Sequence, residues 1–187
     1  QHAREDGTTV LLSGTGGDEL FFGYRSHQAY RLYERYGWLG RAPFSWGWAL
    51  AEGAASQVLG AQHLLSRRIA KFRRGLGKTD LARHMALAAW SSTEVRSSIF
   101  TPDLAAQLRP GEPPECMERY YREFRGKGAL NCHSHLLMET FLAAHNFNYT
   151  DKSSMAVSLE ARVPFMDVEL MRLAARIPER DKLHGNV

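Results

Sequence analysis

The sequence holds 187 residues, 44% hydrophobic and 24% charged, enough for one domain with a core and too apolar for a disordered chain. Lys and Arg number 24 against 20 Asp and Glu, a net charge of +4, which favours anionic partners only weakly. Two cysteines, Cys116 and Cys132, are too few for a disulfide framework and suit a reducing, cytoplasmic setting, and no apolar run approaches the ~20 residues that a membrane span needs.

In chain order, Gln1 to Thr9 is polar, with neither an initiator Met nor the apolar core of a signal peptide. A chain that opens this way and passes almost at once into an apolar strand reads as a piece cut from a longer one. Thr8 to Leu12 is β-branched and apolar, and glycines stop it. This predicts one buried strand at about 8–13, of the kind found in a parallel sheet covered by helices. No other segment reads as a strand. The remainder reads as helix: Asp18–Tyr36, weakened at Gly23, then Trp48–Val58, Leu64–Leu76 and Leu81–Trp90. Ser91 and Glu94 have capping-box spacing. Thr101-Pro102 places an N-cap before a helix-opening proline. Beyond a loop at Arg109–Pro114 come Glu115–Arg125, His133–Ala144, Tyr149–Leu159 and Asp167–Ile177, with Pro164 between the last two and Asp167 as an N-cap.

The most informative stretch is Ser13-Gly14-Thr15-Gly16-Gly17-Asp18-Glu19, directly after the strand. Glycines let backbone N–H groups approach an anion, and a helix starting at about Asp18 adds its positive end. Carboxylates at Asp18 and Glu19 would repel a bare phosphate. They make sense if Mg2+ sits between carboxylate and phosphate, since it takes oxygen ligands from both. The dinucleotide fingerprint fails, because Glu19 stands where its third glycine belongs. The P-loop form fails too: Gly77-Lys78-Thr79 has its tail, but Phe72 replaces the first glycine. A plain strand-to-helix turn with capping acids explains the same residues without any ligand.

Two long blocks separate these readings. Leu12-Ser13-Gly14-x-Gly16-x-Asp18-Glu19-Leu20-Phe21-x-Gly23-Tyr24 resembles a signature of the asparagine synthetase family. Tyr149-Thr150-Asp151-Lys152-x-Ser154-Met155-Ala156-x-Ser158-x-Glu160-x-Arg162-x-Pro164-Phe165-x-Asp167, followed by Pro178 and Lys182, resembles the family's other C-terminal signature. Their order and separation also fit. The resemblance implies an α/β fold of the PP-loop adenine nucleotide hydrolase type, of which residues 1–187 form the C-terminal part of the synthetase domain. It implies ATP and Mg2+, with aspartate or another carboxylate as substrate and ammonia from a glutaminase domain acting on glutamine. Carried over by position, Ser13, Gly14 and Gly16 bind ATP and Asp18 holds Mg2+. Lys152 is a further candidate for phosphate, against the plainer reading of Asp151 and Lys152 as a capped helix start. The resemblance also leaves room for a homodimer of the complete protein.

Position 15 departs from the family, which often carries an acid there. Thr15 cannot act as a carboxylate base, so either ammonia needs little help, or a base comes from elsewhere, or the branch is divergent. The upstream Ser-Gly-Gly-x-Asp-Ser ATP loop and the N-terminal glutaminase Cys are absent, which predicts that this chain alone neither hydrolyses ATP nor makes asparagine. A relative that amidates or cyclises another carboxylate is the nearest alternative, with a non-catalytic assembly module and a tRNA-binding enzyme behind it. Against the last, Arg67, Arg68, Lys71, Arg73, Arg74 and Lys78 have only Phe72 interleaved, so they read as a solvated helix face rather than a nucleic-acid surface. Glu160 and Arg162 read as a buried ion pair. Cys132, His133, His135 and His145 lack zinc-site spacing, and Trp38, Trp46, Trp48 and Trp90 read as core or interface anchors.

Overall fold

A computed structural model describes residues 2–40, 45–60, 63–76, 78–88, 98–107 and 114–183. In chain order the elements are α1 (His2–Glu5), β1 (Val10–Leu12), α2 (Gly17–Phe21), α3 (Arg25–Tyr36) and a 3-10 turn at Gly37–Gly40. Then come α4 (Ser45–Leu59), α5 (Leu64–Gly75), α6 (Asp80–Ala88), α7 (Pro102–Gln107) and α8 (Glu115–Phe124). The chain continues with α9 (Ala129–Leu137), a π-helical segment at Met138–Asn146, α10 (Phe147–Met155) and β2 (Glu160–Arg162). A 3-10 turn at Pro164–Met166 leads to α11 (Val168–Arg176) and α12 (Glu179–Lys182). These fall into two compact units, Gln1–Gln28 with Arg119–Val187, and Ala29–Glu118.

The first unit holds the strand expected from the sequence and a second that was not. β1 and β2 pair in parallel, with Val10 opposite Glu160, Leu11 opposite Ala161 and Leu12 opposite Arg162. The expectation of a single strand is thus corrected. Glu160-Ala161-Arg162 carries no apolar run to betray it; ladder bonds hold it instead. Glu160 N–H donates to Thr9 O at 2.9 Å, and Ser13 N–H to Arg162 O at 2.8 Å. The Glu160–Arg162 ion pair forms at 2.8 Å, but on an exposed face, because residues two apart on a strand project to the same side. Its buried placement is therefore corrected. So is that of β1 itself: with only two strands among the described residues, Val10 is 36%, Leu11 39% and Leu12 76% exposed.

The helix expected over Asp18–Tyr36 breaks between α2 and α3. Phe22 adopts φ 62°, and its N–H and that of Gly23 both donate to Asp18 O. Two amides converging on one carbonyl close the helix in the left-handed manner. Conversely, the helices expected at His133–Ala144 and Tyr149–Leu159 are parts of one run from α9 through the π segment to α10. No Gly or Pro interrupts 129–155, and the wider π winding absorbs the phase change in the apolar pattern. α9 is the core of this unit, burying Leu130, Cys132, His133, Ser134, Leu136 and Leu137. Each buried leucine contributes about 2 kcal/mol. α2 packs against α9 and α11. Asp167 caps α11 as expected, accepting from Glu169 N–H at 3.0 Å and Leu170 N–H at 3.1 Å.

In the second unit α4 packs on α5 and α5 on α6. Tyr30 stacks on His84 at 4.3 Å and Tyr33 on Phe72 at 4.4 Å between ring centroids. Burial lowers the His84 imidazole to about 3. Thr101 Oγ1 accepts Leu104 N–H at 3.4 Å at the start of α7. Trp48 leans on Phe72, whereas Trp38 is 53% and Trp46 80% exposed, which corrects the core reading of those two. The basic run lies on and after α5, where Arg73 pairs with Glu52 of α4. The side chains of Arg67, Lys71 and Arg74 lie outside the described residues. Trp90, the Ser91–Glu94 spacing and the loop over 109–113 also lie outside them.

Candidate nucleotide site

β1 delivers the chain into the Ser13–Gly17 turn at the carboxyl end of the parallel pair, the end at which open sheets bind ligands. The side chains of Ser13 and Thr15 tie this turn to itself. Ser13 Oγ lies 2.6 Å from Thr15 Oγ1 and accepts Thr15 N–H at 3.2 Å. Gly17 N–H donates to Gly14 O at 3.2 Å and Leu20 N–H to Gly16 O at 3.1 Å. The N–H groups of Gly14, Gly16, Asp18 and Glu19 then have no acceptor among the described residues. Four backbone donors, two in the turn and two in the first turn of α2, left without partners among the described residues, suit an anion.

Gly16 sits at φ 95°, a region costly for any residue with a Cβ. A Cβ there would also lie 2.3 Å from Met166 Cε. The turn after β2 therefore rests on the turn after β1. That contact explains in physical terms why two blocks far apart in the chain occur together: strand pairing sets them side by side, and the second supports the first.

The two acids part company. Asp18 is exposed, and its carboxylate lies over Gly23, where a Cβ would come within 2.0 Å of Asp18 Oδ1. The glycine that weakens the helix in sequence terms is the one that leaves this carboxylate room. Glu19 turns inward and is 1% exposed. Its Oε1 accepts the Tyr24 hydroxyl at 2.8 Å, while Oε2 has no partner among the described residues. Burial raises the Tyr24 pKa, and the bond to Glu19 adds to the shift. The expectation that both acids face a metal is corrected for Glu19. A second correction concerns the helix: α2 has five residues, too few for an appreciable macrodipole, so its loose amides rather than its dipole would meet an anion.

Asp151 and Lys152 stand inside α10, both exposed, not at a helix start as expected, because the helical run continues through them from α9. Neither makes a hydrogen bond or ion pair with the Ser13–Gly17 turn. Asp151 instead lines a cavity of about 440 Å³ with Phe147, Ala161 and Val163. Among the described residues no three His, Cys, Asp or Glu converge on a metal position. Cys132 and His133 are buried in α9. His135 stacks on Phe124 at 3.8 Å, and His145 on Phe141 at 5.2 Å. Asp18 by itself suits Mg2+ in one way: as a single carboxylate on an ion whose other oxygens come from bound phosphate and water.

Phe22, Phe165 and Met166 support the site, Phe165 with its ring against Gly17 and Phe21, though the sequence reading gave none of them a role. Phe165 is named in the second block, whereas Met166 stands at one of its open positions, so only Phe165 carried a signal, without its spatial meaning. A family model described as asparagine synthase matches residues 1–187. The chain is 27% identical over 179 residues to asparagine synthetase [glutamine-hydrolyzing] 1 of Bacillus subtilis (strain 168). That match covers 93% of this chain and 26% of the relative, so the chain spans about a quarter of the relative's length. No solved structure matches the chain significantly.

Proposed function

The chain belongs to the asparagine synthase family, and from that premise we propose that it forms part of an ATP-dependent, amide-forming synthetase. The observation that carries this reading is the Ser13–Gly17 turn and the start of α2, where the N–H groups of Gly14, Gly16, Asp18 and Glu19 have no acceptor among the described residues beside the exposed Asp18 carboxylate. In the proposed reaction the aspartate side chain is activated as its adenylate. Ammonia, released from glutamine by another part of the protein, then displaces AMP to give asparagine. The amides of Gly14 and Gly16 bind phosphate oxygens, and the Ser13–Thr15 hydroxyl pair keeps those amides aimed. Asp18 is the residue that would hold Mg2+, and the ion would supply positive charge against the departing pyrophosphate. Gly23 and Met166 fix Asp18 and Gly16 respectively.

Thr15 is engaged with Ser13 and supplies no proton acceptor of carboxylate type. On this reading residues 1–187 contribute one side of the site and do not turn over ATP by themselves. The related amidation or ring closure of another carboxylate uses the same turn and differs only in the acceptor. One experiment addresses both points. The full-length protein, given ATP, Mg2+ and glutamine, should release AMP with aspartate, and residues 1–187 alone should release none. AMP release by the short chain, or by the full-length protein only with other carboxylates, would count against this assignment.

A further inference from the structure

Phe22 is the strained point of the proposed site. It holds φ 62°, a conformation uncommon for a bulky side chain, and such outliers persist only where their surroundings enforce them. Much of the Asp18 geometry depends on it. The N–H groups of Phe22 and Gly23 both donate to Asp18 O, and the space over Gly23 receives the Asp18 carboxylate.

The Phe22 ring is 2% exposed and stacks on His27 at 5.0 Å. The Lys182 ammonium stands 4.7 Å from its centroid. This lysine is half-buried without an ion pair among the described residues. Its Nζ donates to Asn131 Oδ1 at 3.3 Å, and the carboxylate of its neighbour Glu179 is taken by Asn131 N–H at 2.8 Å. Burial lowers the Lys182 pKa, with Glu179 opposing. A partly desolvated ammonium with no ion pair among the described residues gains from an aromatic face.

We propose that Lys182 is a positioning residue for Asp18: seated on the Phe22 ring, it holds the left-handed Phe22–Gly23 turn that places the carboxylate. The role of that carboxylate rests on the nucleotide reading above; the hold on the turn does not. Hydrogen exchange in the full-length protein reads the turn directly, without ATP or metal. Lys182→Met should speed exchange of the Phe22 and Gly23 amides about three-fold, the scale of a cation–π contact, while the α9 amides of Leu136 and Leu137 stay protected. Lys182→Arg, which keeps a cation on the ring, should restore the wild-type rate. Unchanged exchange at Phe22 and Gly23 in Lys182→Met overturns the proposal, as does equal acceleration in α9. A parallel Mg2+ titration of AMP release should show a raised Mg2+ requirement in Lys182→Met and Asp18→Asn. If Asp18→Asn leaves that requirement unchanged while Lys182→Met speeds exchange, the metal reading of Asp18 fails and the hold of Lys182 on the turn stands.

Discussion

Two turns leave the same end of the same strand pair and start their helices differently. After β1, the N–H groups of Gly14 and Gly16, and those of Asp18 and Glu19 in the first turn of α2, have no acceptor among the described residues. After β2, Val163–Asp167 closes on itself, with Met166 N–H donating to Val163 O at 2.9 Å and Asp167 N–H to Pro164 O at 3.1 Å. Asp167 then spends its carboxylate on α11. The first helix start lacks a side-chain cap and has donors to offer a ligand; the second is capped by its own aspartate, and Met166 before it serves as a prop beneath Gly16. Parallel topology places the two turns together, but residue type decides their roles. Glycine and small hydroxyl residues leave amides open, whereas Pro164, Phe165 and Met166 fill space.

The comparison can be broken first at the core beneath the glycine turn. His27 is fully buried behind Phe22, with Nε2 2.9 Å from Ser134 Oγ, and burial lowers its imidazole to about 4. The unfolded chain, with its histidine near 6.5, takes up the proton first. Stability is therefore complete above that pH and falls as pH drops toward 4, by about 3 kcal/mol for this one group. Urea midpoints at pH 7, 5.5 and 4.5 check this, and His27→Gln should make the trend shallower without abolishing it, because buried His84 is lowered in the same way. Next in size is Gly16→Ala, which should destabilise by about 2 kcal/mol in thermal unfolding through its positive φ and the clash with Met166. Adding Met166→Ala should relieve the clash but not the backbone cost, so recovery stays partial. Full recovery would mean that packing alone selects glycine there. The smallest effect is expected on the supporting side. Asp167→Ala removes a helix cap and should cost about 1 kcal/mol, with little change in nucleotide affinity; a large loss of affinity would erase the distinction between the turns.

Local chemistry made the first turn legible and left the second obscure. Glycines, a serine and an acid after an apolar run announce a strand and a tight turn without knowledge of the rest of the chain. β2 needed its partner: Glu160-Ala161-Arg162 is a strand only because Thr9 O and Ser13 N–H stand opposite. The break at Phe22 was hidden because nothing about phenylalanine predicts a left-handed backbone; Gly23 signalled it only weakly. Glu19 and Asp18 are chemically alike and adjacent, so sequence could not say which turns inward. The asparagine-synthetase resemblance carried the family assignment, while the roles of Met166 and Lys182 became visible only once distant segments met.

Asp18→Ala in the full-length protein is the most direct test of the central claim that this turn grips a magnesium-bound polyphosphate. Because the side chain is exposed, the thermal midpoint should hold, while AMP release at fixed Mg2+ should fall by roughly 100-fold or more, the scale of losing a key electrostatic group. An Asp18→Ala protein that releases AMP at the wild-type rate with an unchanged Mg2+ requirement would contradict the account.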